Sequence, residues 1–261
     1  AFWDKRLGNG SRPNSRFDVS TGFGSFTWKA SNKLKLGIEY THFNYVAQQP
    51  GGLTDAQFAA DHLQSLRSRN WFNVQFNILA LNADYTITDN SRINIKVFGM
   101  TGDRNSNGFM STPNIKDTVN AATLQYNNRR VDIDRYRNAG AELRYINEYK
   151  IGSLKNTVAA GVRYFRGNTA RMQNGRGDTG TDYNINTSAP FGTDLDFVTS
   201  NTAFFAENII HIGKKLILIP GVRYETIRNT AEGRISFNSN GSENKVSNEI
   251  RNRNFALLGV G

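Results

Sequence analysis

The 261-residue chain contains no cysteine, which excludes a disulfide framework, a thiolate metal site and a cysteine nucleophile. Histidine is almost as scarce. His42, His62 and His211 fall at the outer end of an expected strand, in a loop and at a short turn, whereas a Ser-His constellation or a histidine metal site needs such residues together. Neither an enzyme nor a cofactor or metal is therefore expected. No apolar stretch approaches the roughly 18 residues of a membrane-spanning helix, and mean hydropathy is −0.54. That excludes helical membrane proteins only, because a barrel strand crosses a bilayer with about 9 to 11 residues, of which only alternate ones are apolar. The formal net charge is +10, yet Lys and Arg stand singly among Asp and Glu. That is the pattern of a solvated or lumenal surface, not of a nucleic-acid footprint.

Period-two alternation is what the chain does have. The stretch from Asn201 to Ile227 reads as two strands around a tight Gly-Lys-Lys reversal. Leu216, Leu218, Val222 and Tyr224 lie on one face, with Arg223 and Glu225 on the other. The same chemistry recurs around Leu34 to Tyr40, Ile93 to Val97, Ala139 to Tyr145 and Val158 to Tyr164. Lys35, Glu39, Lys96, Glu142, Arg144 and Arg163 share the second face, and Tyr40, Tyr85, Tyr145, Tyr164 and Tyr224 end the apolar stripes as an aromatic girdle would. In the run from Trp71 to Thr88 the apolar parity shifts near Ile78, as a bulge or a strand leaving the bilayer would produce. The rhythm is strand, short turn, strand, long loop, with polar loops expected at 47–70, 103–132, after Phe165 to about 197, and on to about 253, and residues 1–16 read as the tail of another. Thr54 with Gln57 makes a capping box for a short helix. Asp103, Asn105, Asn107 and Gly108 open like a calcium loop, but the twelfth position is Asn114 and no helices flank it. Arg176-Gly177-Asp178 is read as a chance tripeptide.

Two stretches carry a family resemblance. FAENI, a tight turn and then KLILIPGVRYE resembles the barrel hairpin of TonB-dependent outer-membrane receptors, with PGVRYE at Pro220 to Glu225 its most specific part. QQPGGLTDAQF followed by RSRNWF, ending at Phe72, is similar to the ferric-citrate-type branch of those receptors. The resemblance implies an all-β fold: part of a large antiparallel transmembrane barrel, about eight strands as an open curved sheet, with short periplasmic turns and long extracellular loops. It implies a Gram-negative outer-membrane location, transport of a ferric chelate such as ferric citrate or a related siderophore, energy from a TonB complex acting through a plug, and contact with outer-membrane lipid and lipopolysaccharide. A start without Met or signal peptide and an end at FALLGVG lead to the expectation that residues 1–261 are an internal barrel piece whose plug and last strands lie elsewhere. A guanidinium fork holds carboxylates bidentately, so Arg67, Arg69, Arg104, Arg129, Arg130 and Arg171, all expected in long loops, are the candidate ligand residues. A glycan importer, which would carry stacked aromatics in its loops, and a passive porin remain as alternatives.

Overall fold

The computed structural model describes residues 1–213 and 215–261; Lys214, in the Gly-Lys-Lys reversal, lies outside the described residues. The elements are β1 (Phe2–Asn9), β2 (Arg16–Lys29), β3 (Leu34–Gln48), α1 (Asp55–Ala60), β4 (Trp71–Thr88), β5 (Ser91–Gly108), β6 (Val119–Asn120), β7 (Gln125–Tyr126), β8 (Arg130–Ile151), β9 (Leu154–Arg176), β10 (Thr193–Ile212), β11 (Leu216–Leu218), β12 (Pro220–Phe237) and β13 (Glu243–Val260). One 11-stranded sheet takes nearly all of them in the order β1-β2-β3-β4-β5-β8-β9-β10-β12-β13, with β11 paired to β10; β6 and β7 form a separate small hairpin. Every pairing is antiparallel. Among the described residues β1 pairs only with β2 and β13 only with β12, so the sheet is open.

The sheet has more strands than the eight expected, and the strands are longer. β8 and β9 run 22 and 23 residues, about twice what a bilayer crossing needs. Residues 2–9, read as a loop tail, form a strand whose register runs Phe2↔Phe23 to Asn9↔Arg16. The expected fourth long loop shrinks to residues 238–242 between β12 and β13. In both places polar residues occupy both faces, so the apolar alternation that marks a strand is missing although the backbone ladder is made. The parity shift in β4 has a plain origin: its ladder to β3 is unbroken from Trp71 to Tyr85. No bulge sits at Ile78, and the strand simply continues beyond the apolar band.

Side chains on the convex side of a curved sheet diverge and stay open, while those on the concave side converge. Along β12 the alternation is regular: Val222, Tyr224, Thr226 and Arg228 are exposed, and Arg223, Glu225, Ile227 and Asn229 are half-buried. The open face carries an apolar band through Phe26, Ile38, Leu81, Val97, Leu143, Val222 and Leu218, all exposed, with Leu36 half-buried. A soluble sheet buries such a face; here it is the surface that a bilayer covers. Tyr85 and Tyr145 close the band at the turn end, and Tyr40, Tyr164 and Tyr224 at the loop end. No helix among the described residues is long and apolar enough to cross a membrane, so any crossing is made by strands.

Candidate functional site

On the enclosed face the band is mirrored by charge. The ladder aligns Lys96 with Glu142, Glu142 with Arg163, Arg163 with Ala203, and Ala203 with Glu225. Opposite charges directly across an antiparallel pair attract. Arg223 bonds Glu225 at 2.5 Å and Asn201 supports the same carboxylate at 3.0 Å; Glu207, on the same face, lies opposite Gly221 and makes no ion pair among the described residues. Aromatic rings fill the wall between these charges. Phe98 lies over Gly140 and Phe205 over Gly161, where an added Cβ would stand 2.5 Å from each ring. Arg163 and Arg223 cap those rings at 5.3 and 5.7 Å. The result is a flat, polar inner wall.

Nearer the loop end of this face, the ladder places Arg104 beside Asp134 and Asp134 beside Arg171 on β5, β8 and β9. Arg171 Nε donates to Asp134 at 2.8 Å, Arg104 Nη1 at 3.4 Å and the Tyr136 hydroxyl at 3.4 Å. The carboxylate is buried, while the Arg104 and Arg171 side chains keep 54% and 39% of their surface open. Each guanidinium also packs over a ring, Phe72 at 5.4 Å and Phe197 at 6.0 Å. One buried carboxylate thus orients two cations and neutralises the charge of only one. Arg130, two rungs above, bonds Asp132 at 2.8 Å and is partly open.

The loops form a second arginine assembly of the opposite kind. α1 has the expected capping box of Thr54 and Gln57. Behind it Arg67 is 5% exposed, and its Nη atoms donate to the carbonyls of Leu66, Ile115, Ser111 and Thr112. Arg69 is fully buried: it grips Asp117 bidentately at 2.8 and 2.9 Å, donates to the carbonyls of Thr179, Gly180 and Asn127, and packs 4.1 Å over the Tyr126 ring. Arg129, 1% exposed, donates to Asp178 and to the Arg69 carbonyl. Arg12 reaches from the β1–β2 loop to the carbonyls of Gly51 and Gln64. Burial pushes the Asp178 carboxyl up, but hydrogen bonds from Arg129 and Asn184 outweigh it and hold its pKa below the ordinary value. Burial pushes the Tyr183 phenol up. Three loops, 49–70, 109–129 and 177–192, are thereby locked into one layer.

The structure therefore divides the six candidate arginines. Arg67, Arg69 and Arg129 are buried with their donors taken by the protein itself, which leaves no fork open to a ligand. Arg104, Arg130 and Arg171 are on strands, not in loops, and the first and third converge on Asp134. Sequence reading missed Asp134, Asp117 and Arg12; the carbonyl acceptors of Arg12 and Arg67 carry no residue signature, and Asp117 is 48 residues from Arg69. Asp103, Asn105 and Asn107 are successive same-face residues of an extended strand, the opposite of a calcium loop's tight curl. Arg176 and Asp178 of the tripeptide bond Asn128 and Arg129. His42 stacks on Trp3, His62 lies near Phe58 and His211 bonds Asn156 through its backbone, so the three are apart.

Residues 3–255 match the family described as "TonB dependent receptor-like, beta-barrel". No curated protein matches the sequence. Among solved structures, the ferric citrate transporter FecA in its unliganded form aligns with a TM-score of 0.78 at 20% identity, covering 99% of this chain and 35% of that one. The ferric-catecholate import receptor Fiu from E. coli K12, in its open form, aligns with a TM-score of 0.72 at 12% identity over 97% of this chain and 46% of that one. The copper transporter OprC aligns with a TM-score of 0.71 at 13% identity over 99% and 36%. At these identities the likeness is one of fold, and the chain spans between a third and a half of the length of these proteins.

Proposed function

The chain belongs to the TonB-dependent receptor β-barrel family, a family of the Gram-negative outer membrane, and we propose that it forms part of the barrel of a receptor that imports an anionic ferric chelate of the citrate or siderophore kind. The observation that carries this reading is the Arg104–Asp134–Arg171 row. It lies on the enclosed face, at the end where the loops converge, and retains a net positive charge with open guanidinium edges. Carboxylates of a chelate are the ligands such forks fit best. Arg130 extends the same face upward.

Transport in this reading draws energy from a TonB complex acting on a plug supplied by chain outside these residues, and further strands pair with the free edges of β1 and β13. The reason for the latter is physical: a bilayer offers no hydrogen-bond partner to an open strand edge, so spanning sheets must close. The test is ferric citrate binding to the full-length receptor. Arg104→Ala with Arg171→Ala should weaken it by roughly 3 kcal/mol, about 100-fold, if each loses one charged hydrogen bond. Unchanged affinity would overturn the assignment of this row.

A further inference from the structure

At the turn end of the enclosed face, the strands from β2 to β8 surround a recess of about 800 Å³. Its lining sets five cations, Lys29, Lys33, Lys35, Arg92 and Arg144, against one carboxylate, Asp84. The ladder places most of them in one row: Lys29 pairs Lys35, Lys35 pairs Asp84, Asp84 pairs Asn94 and Asn94 pairs Arg144. Arg92 lies one same-face step nearer the turns, opposite Thr86, whose N–H donates to the Lys33 carbonyl. The cations are thus brought together by strand register, and none of the long loops takes part.

Charge in this recess does not balance. Glu142 answers Arg144, and Asp84, which accepts from Asn94 Nδ2 at 2.7 Å, offsets one more cation. Three positive charges remain in excess. Lys29 and Lys35 stand directly across the ladder from each other, where like charges repel. Lys150 and Lys155 repeat the arrangement where β8 turns into β9. One rung up, Lys96, Glu142 and Arg163 alternate in sign, so the excess belongs to the end of the wall and not to its whole height.

The two cation sites of the enclosed face are built differently. Arg104 and Arg171 are oriented by the buried Asp134 and by aromatic rings, which fixes their forks for capture. Lys29, Lys33, Lys35 and Arg92 are exposed, and ammonium groups on flexible, strongly hydrated stems make ion pairs that are individually weak. Such a cluster attracts an anion without retaining it. The recess has the size of a small-molecule site, and through Lys35, Asp84 and Asn94 it continues upward into a second one of about 230 Å³ that reaches Glu39. We infer that Lys29, Lys33, Lys35 and Arg92 form a release site, which receives the anionic ferric chelate at the periplasmic end of the barrel after it has left the arginine row at the mouth. The inference rests on the anionic-chelate reading proposed above.

Ferric citrate uptake by cells carrying the full-length receptor, measured beside equilibrium binding of ferric citrate to the purified receptor, tests this. K29Q/K35Q/R92Q should leave the binding affinity unchanged and lower the uptake rate at saturating chelate by about fivefold, the combined effect of three exposed ion pairs. The charge-keeping K29R/K35R/R92K should transport as wild type does. Heat-modifiable electrophoretic migration identical to wild type certifies folding, and R92Q alone, with a loss of about twofold, replaces the triple variant if that one is not folded. Unchanged uptake in the folded Gln variant would overturn the inference and leave the chelate reading intact. Wild type that binds no ferric citrate would remove that reading, and this inference with it. Loss of affinity in step with uptake would make the cluster part of capture, and entry of large antibiotics into de-energised cells carrying the variant would show that these cations hold a plug in place; either result overturns a release site.

Discussion

Arg69 supports the sharpest prediction, because its burial, geometry and partners are all defined. Replacing it with Ala in the full-length receptor removes the bidentate contact to Asp117 and the donors to the carbonyls of Thr179, Gly180 and Asn127. The Asp117 side chain is 1% exposed, so a carboxylate is left in a closed site. Breaking a buried pair from one side costs about 3–5 kcal/mol. The strand ladders do not pass through Arg69, so the cost falls on the loop layer and not on the barrel. Local opening free energy should drop by that amount, which raises amide exchange by about 100- to 1,000-fold or more at 1.4 kcal/mol per decade. The amides to follow are Asp117, bonded to the Leu66 carbonyl, and Gly177, bonded to that of Arg129. Removing both partners, R69A with D117A, should cost less than R69A alone, since no charge is then stranded. Exchange within tenfold of wild type at both amides would refute the reasoning. The experiment also separates the two roles of arginine: a ligand-contacting Arg69 would lose chelate affinity while loop protection stayed intact.

Three further outcomes follow. In the folded loop layer hydrogen bonds from Arg129 and Asn184 outweigh burial and hold the Asp178 carboxyl below its ordinary range; a depressed carboxyl contributes stability that is present above its unfolded pKa and lost as pH falls through the folded one. Proteolytic susceptibility of the 177–192 loop should therefore rise only below about pH 4, and a rise already complete at pH 6 would contradict this. Gly161→Ala would set a Cβ 2.5 Å from the Leu143 carbonyl oxygen, a backbone atom that cannot swing aside, whereas Gly24→Ala meets nothing within 4 Å. The heat-modifiability midpoint should fall clearly for the first and stay put for the second; equal midpoints would show that the wall has more room than its geometry indicates. The 261-residue chain expressed alone, with β1 and β13 as free edges, should aggregate instead of inserting into liposomes, and a protease-protected, heat-modifiable product would disprove it.

The band of the barrel was readable in the sequence because the bilayer imposes a rule there. Every second residue from Leu34 to Tyr40, from Ala139 to Tyr145 and from Val158 to Tyr164 must be apolar on one side, and the other side is free to be charged. Above the band the bilayer no longer sets the rule, and loops cover part of the band-side face instead, burying Asn105, Asn107, Val131 and Ile133. That is why β5 runs on through Asp103, Asn105 and Asn107 to Gly108, and β13 starts at Glu243, without a periodic trace. β1 escaped for a related reason: Phe2, Trp3 and Leu7 do not share a single face, so the eight residues look irregular even though each is paired.

The arginines show where sequence stops and packing decides. Arg67, Arg69, Arg104, Arg129, Arg130 and Arg171 look alike as letters in polar stretches, and the same chemistry that suits a carboxylate ligand suits a carbonyl or an internal Asp. What separates them is whether the fold surrounds them. Arg69 lies where three loops meet, and its five donors find five protein acceptors. Arg104 and Arg171 stand on a strand wall, share one buried Asp134 and keep an open side. Arg137 and Arg166 stand on the opposite wall of the sheet and make no ion pair among the described residues. A single residue type thus locks the loop layer in one place and stands open on either wall of the sheet in others. The difference turns on parity: along β8, the even-numbered Asp134 and Tyr136 face the enclosed side and the odd-numbered Arg137 and Ala139 face the side of the apolar band, so moving one position along the strand exchanges one wall for the other.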